Sequence, residues 1–508
     1  MSAYEQFEVH MAEINDLCCV INLLNWDSQT QMPSGGTQTR GHQISTVASL
    51  AQKRFVSEET LRLIEAAEDE ISGDDSNSYR VRAVAQAREA FEVSKAVPAK
   101  LVGDVNALKT IAQQVWTDAR QKDDFNLFAP YLEQMITMKR QIADAIGFEE
   151  HPYDAMLNRY EPGMTTARIQ QLFAELKVGL DPILDRIRGL PQPANDFLTR
   201  QEFPVDLQKK FALQMVEKFG YDLQRGRVDV AVHPFEISFT RQDVRITTRY
   251  NPNYPGAAIF GLFHESGHGM YEQGADPTIT RTVLATDLMD LYAVAGVSYG
   301  MHEAQARLWE NLVGRSRLFW ENHFEMLQST FPEQLKTVEL DAFYRAINCV
   351  QPSLIRVEAD EVTYNYHIML RIEVEAALMD GSLKVSDLPE FWNSKMQDYL
   401  GVIPSNNRVG VLQDVHWSAG YVGSFCGYSV GNVISAQIYE AASKQVPDFD
   451  EEMQKANYQP LLSWLTENIY KHGRAYSVDE LVTKATGSPL NVKPYLSYLT
   501  DKYSQVYR

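Results

Sequence analysis

Near the middle of the chain, Ala257-Ala258-Ile259-Phe260-Gly261-Leu262-Phe263 runs straight into His264-Glu265-Ser266-Gly267-His268. The first seven residues carry no polar side chain. A helix built from them is apolar on every side and has to be wrapped by other segments. One helical turn separates His264 from His268, so both imidazoles share a face. Two imidazoles so placed can hold one zinc ion, with Glu265 beside them in reach of a water. The chemistry this implies is metal-assisted hydrolysis, with Glu265 taking the proton of the attacking water. The competing reading is a helix with two surface histidines, and the apolar flanks speak against it.

Such a helix needs a large body around it, and composition allows one. The chain has 508 residues, 44% hydrophobic and 22% charged, which is ordinary for a globular protein. It shows no Ser/Gly-rich linker, low-complexity run or internal repeat. Residues 1–508 therefore read as a single domain, a helical body in two halves around a cleft. The net charge of −20, from 47 basic and 67 acidic residues, argues against nucleic acid and anionic membranes as partners. The start lacks the basic and apolar regions of a signal peptide, and no apolar run approaches membrane-spanning length. Four cysteines, with Cys18 and Cys19 adjacent, make no disulfide framework in a chain this long. A reduced, cytoplasmic protein is the expectation.

Helical patterns dominate. Leu17, Val20, Ile21 and Leu24 form an apolar stripe ahead of a loop at Met32-Pro33-Ser34-Gly35-Gly36. Further helices are expected over 38–55, 57–71 and a group from Pro98 to Gly147. The one β segment runs from about Asp229 to Tyr250, where Phe235–Phe239 and Val244–Tyr250 alternate with period two. This small sheet ends just before the zinc helix. Beyond it, helices are expected over Ala285–Leu312, Phe319–Ser329, Asp341–Val350, Ala359–Met379 and Leu388–Leu400. The rest also reads as helical, with Ser477-Val478-Asp479-Glu480 as a start signal.

Two histidines leave the metal one protein ligand short. Glu303, in His302-Glu303-Ala304-Gln305, is the best candidate. Asp287 and Asp290 fit the stereochemistry equally, whereas Glu272, on the same helix as the histidines, is poorly placed. His302 is either a support for the site or a packed helix histidine. Asp243, Arg245 and Thr247 alternate along a strand and so face one side, as a polar site wall or as a solvated edge. Arg356 and Asp360 are spaced as a one-turn ion pair, with Tyr364 a turn further.

These words occur in an order that resembles the carboxypeptidase Taq family of zinc metallocarboxypeptidases. The resemblance covers nearly the whole chain. It includes Leu24-Asn25-Trp26-Asp27, His151-Pro152-Tyr153-Asp154, Tyr160-Glu161-Pro162-Gly163-Met164 and His233-Pro234-Phe235. Then follow Asp243-Val244-Arg245-Ile246-Thr247, the two-histidine word and His302–Gln305. Ile355-Arg356-Val357-Glu358-Ala359-Asp360 and Gly410–Trp417 complete the set. Two departures stand out. Ala304 replaces the family's usual serine, and the segment from Gly274 to Met301 is longer and less Gly/Pro-rich than the family pattern.

The resemblance implies a mainly α fold around a deep substrate groove, with a small sheet next to the zinc helix. It implies His264, His268 and Glu303 as ligands of Zn2+, with Co2+ or Mn2+ as substitutes, and Glu265 as general base. His416 with Tyr421 or Tyr428 would stabilise the oxyanion. Arg356 first, and Arg245 second, would anchor the terminal carboxylate of a peptide, on a wall shared with Asp243 and Thr247. The family is typically homodimeric. The expected activity is removal of single residues from peptide C-termini. The alternatives are an oligoendopeptidase or dipeptidyl carboxypeptidase on a similar scaffold, and a non-catalytic peptide-binding protein.

Overall fold

The apolar run does become one helix, Gly256–Gln273, in a computed structural model that describes residues 1–508. Its residues are almost all buried, Glu265 and Glu272 included. Aromatic rings close over part of it. Phe263 meets Phe219 at 4.9 Å and Phe319 at 5.5 Å between centroids, and Phe260 meets Trp320 edge-on at 6.3 Å. Pairs of this kind add about 0.5–1.5 kcal/mol each beyond plain burial.

The small sheet also packs on this helix. It comprises β1 (Gly226–Val230), β2 (Glu236–Thr240) and β3 (Asp243–Thr248), in the order β1-β3-β2. β1 runs parallel to β3 with Arg227 opposite Arg245, and β2 runs antiparallel to it. The expected β segment thus holds β2 and β3 and only the end of β1. Helices account for 67% of the residues, so the protein is mainly α with the sheet beside the two-histidine helix.

The chain forms two compact units. One comprises Met1–Lys95, Ala194–Ile347 and Ile434–Leu490; the other comprises Ala96–Pro193, Asn348–Val433 and Asn491–Arg508. In the first, the N-terminal helix Ala3–Thr30 starts at a capping box made by Ser2 and Glu5. Its Asn22 amide reaches the sheet and donates to the Ser238 carbonyl at 2.8 Å. In the second, the fully buried Glu375 accepts hydrogen bonds from the Tyr153 hydroxyl, the Trp417 indole and the Gly423 N–H. That carboxyl ties the helix Tyr364–Asp380 to the loop that carries His416 and Tyr421.

Three expectations are corrected. Ala285–Leu312 is not one helix. It opens as a short hairpin, β4 (Thr286–Asp287) and β5 (Tyr292–Ala293), whose turn puts Leu291 at φ +52°. The helix proper is Tyr299–Arg307, capped by Ser298 and continued by a π-helical turn, Leu308–Val313. Residues 401–425 are turns and bends rather than helix. The helix expected from Ala359 starts at Tyr364, because Arg356–Glu358 is a lone 3-10 turn and Ala359 is extended.

Candidate active site

His264 and His268 sit on the buried helix with both Nε2 atoms 3.6 Å from Glu303 Oε2. One ligand atom from each of the three lies within 4.8 Å of the others. Gly267 makes this approach possible. A Cβ there would meet the Gln305 carbonyl oxygen at 2.5 Å and Ala306 Cα at 2.7 Å. Only glycine lets the helix Tyr299–Arg307 come close enough to place Glu303 over the histidines. Gly267→Ala should therefore force the two backbones apart. The expected result is a loss of about 1–3 kcal/mol by chemical denaturation, as for other overpacked cores, together with weakened metal binding. Unchanged values for both would show that the helices have room to spare.

The donor set suits a divalent metal: two imidazole nitrogens and one carboxylate oxygen. Burial, with His302 and His264 alongside, holds the His268 ring well below its usual pKa, so it stays in the neutral form that binds metal. Each histidine is also held from behind. His264 Nδ1 lies 3.0 Å from Glu310 Oε2. Glu310 in turn accepts from Arg307 at 3.3 Å and Arg315 at 3.2 Å, and Arg307 Nε donates to Glu303 Oε1 at 2.6 Å. His268 Nδ1 lies 2.6 Å from His302 Nδ1. Sequence reasoning missed Glu310. The spacing of Glu303, Arg307 and Glu310 along one helical face was the signal for it.

The rival ligands are occupied elsewhere. Asp287 accepts from the backbone N–H groups of Met289 and Asp290 and from Arg474. Asp290 is exposed. Glu272 is turned toward His302 and the segment at Ala295. Ala304, where the family usually has serine, is fully buried.

Glu265 is 5% exposed, and its Oε2 has no hydrogen-bond partner among the protein groups. Burial pushes its carboxyl up to about 7, against the pull of His264. A buried carboxylate oxygen left unpaired is costly, and such a group is a recurrent mark of a proton-transfer residue.

The second unit gathers another cluster. Arg356 is buried. Its Nε and Nη2 pair with Asp414 Oδ1 at 2.9 and 2.8 Å, and its Nη1 donates to the Tyr364 hydroxyl at 2.9 Å. Arg371 holds the other oxygen of Asp414. Burial opposes ionisation of Asp414, but the two guanidiniums outweigh it and keep the carboxyl well below the usual range. The spacing-based pairing of Arg356 with Asp360 is thus replaced by one across 58 residues. Asp360 instead accepts from the N–H groups of Val362 and Thr363 in the turn that precedes the next helix.

His416 Nε2 lies 3.3 Å from the Tyr428 hydroxyl, and its ring packs on Phe425 at 4.4 Å. Burial and Arg356 lower its pKa to about 3, so the ring is neutral. Tyr421 is 49% exposed, with its ring 6.5 Å from that of His416. On β3, Arg245 forms a two-point ion pair with Asp243 at 2.8 and 2.9 Å and lies over the Trp26 ring at 4.3 Å. Thr247 spends its hydroxyl on the Phe235 backbone.

The family model for "Carboxypeptidase Taq (M32) metallopeptidase" matches residues 6–503. The chain belongs to that family. Carboxypeptidase 1 of Bacillus subtilis (strain 168) is 38% identical over 488 residues, covering 96% of this chain and 95% of that protein. Thermostable carboxypeptidase 1 of Thermus thermophilus is 38% identical over 516 residues, 100% of this chain and 99% of that one. The crystal structure of the M32 carboxypeptidase from Deinococcus radiodurans R1 superposes with a TM-score of 0.94 at 39% identity, over 99% of both chains. The protein is a metallocarboxypeptidase, and its family implies a divalent metal. The His-His-Glu group fits that requirement. No helix is long and apolar enough to cross a membrane.

Proposed function

We propose that this metallocarboxypeptidase uses zinc held by His264, His268 and Glu303 to release single amino acids from peptide C-termini. The observation that carries the reading is the convergence of both Nε2 atoms on Glu303 Oε2 at 3.6 Å, beside the unpartnered Glu265 carboxyl. A zinc ion there supplies Lewis acidity toward water and the scissile carbonyl. Glu265 takes the proton of the attacking water and later delivers it to the leaving amine. Glu310 and the arginines behind it keep the His264 ring oriented.

His416, with Tyr421 or Tyr428, is proposed to donate to the oxyanion, where losing one donor costs on the order of 10² in rate. Arg356 is proposed to pair with the terminal carboxylate, with Arg245 as second choice and Asp243 and Thr247 as neighbours on its strand. A substrate groove, a homodimer and a cytoplasmic location complete this reading on the strength of the family resemblance.

Incubation with N-blocked peptides, with products identified by mass, tests it. The expected products are single residues shed stepwise from the free C-terminus. Activity should vanish on chelation and return with zinc, and with cobalt or manganese as substitutes. Internal cleavage of an acetyl-capped, C-terminally amidated peptide would replace this reading with an endopeptidase. Protein that is active without any metal would end the zinc assignment.

A further inference from the structure

One buried carboxylate, Glu272, has no part in the chemistry above. It lies one helical turn beyond His268 and is 3% exposed. Four donors converge on it. The Ala295 and Gly296 N–H groups donate to its two oxygens at 2.8 Å each, and the Ser238 hydroxyl donates at 3.1 Å. His302 Nε2 lies 3.1 Å from Oε1, and the other nitrogen of that ring is the one 2.6 Å from His268 Nδ1.

Counting protons leaves one arrangement of this chain compatible with a metal. A ligand nitrogen must present a bare lone pair. His268 Nε2, which faces Glu303, must therefore be bare, and the proton of the neutral ring sits on Nδ1. That proton is donated to His302 Nδ1, which must be bare in turn. The His302 proton then sits on Nε2 and is donated to Glu272, which accepts. The reverse order would put a proton on His268 Nε2, where a metal has to bind.

We infer that Glu272, acting through His302, fixes the metal-binding tautomer and orientation of His268, so that both are positioning residues for the metal site. This rests on the proposed ligand set of His264, His268 and Glu303. The two histidines are then held in different ways: His264 by a carboxylate directly, His268 by a carboxylate one imidazole removed. Neighbouring groups agree with the assignment. The two backbone N–H groups and the Ser238 hydroxyl already hold Glu272 as an acceptor, which is the role the His302 Nε2 proton needs. Burial and the charges of Glu272 and Glu265 raise Glu236 well above the ordinary value, and it stands further from His302 Nε2, at 3.9 Å. Gly296 leaves the space that the ring needs, since a Cβ there would fall 2.3 Å from His302 Cδ2. The same carboxylate thereby anchors the long Gly274–Met301 segment to the metal helix. That gives the segment a part in metal affinity as well as in shape.

The test is zinc affinity of metal-stripped, full-length protein, measured by competition with a chromogenic chelator, alongside melting temperature. His302→Ala and Glu272→Gln should each weaken zinc binding by roughly 10- to 100-fold, the range for groups that orient a metal ligand. His302→Gln should recover part of the loss, because its amide oxygen can still accept from His268 Nδ1. Histidine-labelled, zinc-loaded protein should show the His268 proton on Nδ1 by nuclear magnetic resonance. If Glu272→Gln and His302→Gln melt lower but bind zinc as tightly as the wild type, the two residues are structural anchors only and the inference falls. An Nε2–H tautomer of His268 overturns it as well. Glu303→Ala is the control for the ligand set: if that variant keeps wild-type affinity, the proposed site itself is wrong and this inference fails with it.

Discussion

Glu265→Gln should keep its metal and its fold and lose nearly all peptidase activity. The substitution changes one atom and removes the ability to take a proton. Loss of a general base typically costs 10²–10⁴-fold, so kcat should fall by at least about 10² while KM moves little. The structure adds a second expectation. Glu265 is buried, one of its oxygens has no protein partner, and burial raises its pKa to about 7. Keeping a charge there opposes folding, and a neutral amide of the same shape relieves that cost. The variant should therefore melt at the same temperature as the wild type or higher, the usual sign of a residue kept for chemistry at the expense of stability. Steady-state kinetics at matched metal content, with a thermal melt, checks both. Near-normal turnover would remove Glu265 from the mechanism. A much lower melting temperature would make it a structural residue.

The two-histidine word shows what was legible in the sequence. Its helix, its burial and its neighbouring sheet all follow from local pattern, because apolar runs and one-turn spacings are properties of adjacent residues. The third member of the His264-His268-Glu303 group was legible only in part. Stereochemistry left Glu303 level with Asp287 and Asp290 until the family words favoured it. What decides the geometry is Gly267, where a missing Cβ lets two backbones touch. A glycine in a helix says nothing about which segment will lie against it.

Other misses share that cause. The hairpin within 285–298 reads as helix from its apolar residues, but its backbone groups are claimed from outside. Asn15 donates to the Ala285 carbonyl, and Glu272 takes the N–H groups of Ala295 and Gly296. Arg356 looked like the partner of Asp360 because helical spacing ranks near neighbours first. The chain breaks its helix there, and Asp414 takes over from 58 residues away. Tertiary donors and acceptors override local preference wherever a buried charge must be paired.

That buried pairing shapes the second large effect, expected at Arg356. Two guanidiniums, Arg356 and Arg371, share the single carboxylate of Asp414. The nearby His416 and His367 are both lowered to about 3 by burial and the arginine charges, so they are neutral. At Asp414 itself two guanidiniums thus face one carboxylate, with the Glu375 carboxyl, raised to about 7 by burial, as a further neighbour of Arg371. A free peptide carboxylate is the group that would complement this pair of guanidiniums. Breaking one partner of such a buried pair costs about 2–5 kcal/mol, which corresponds to roughly 30- to 4,000-fold in kcat/KM. Arg356→Ala should lose that much on free-acid peptides and change little on whatever slow cleavage occurs with C-terminally amidated ones. Arg356→Lys should fall between, because an ammonium keeps the charge without the planar two-point geometry. The fold should survive both changes, since Asp414 keeps Arg371 as its partner. Parallel loss on free-acid and amidated substrates would mean that Arg356 serves only to hold Asp414. The anchor would then pass to Arg245, whose guanidinium sits on Trp26 in a two-point pair with Asp243, and the same substrate comparison on Arg245→Ala would decide it.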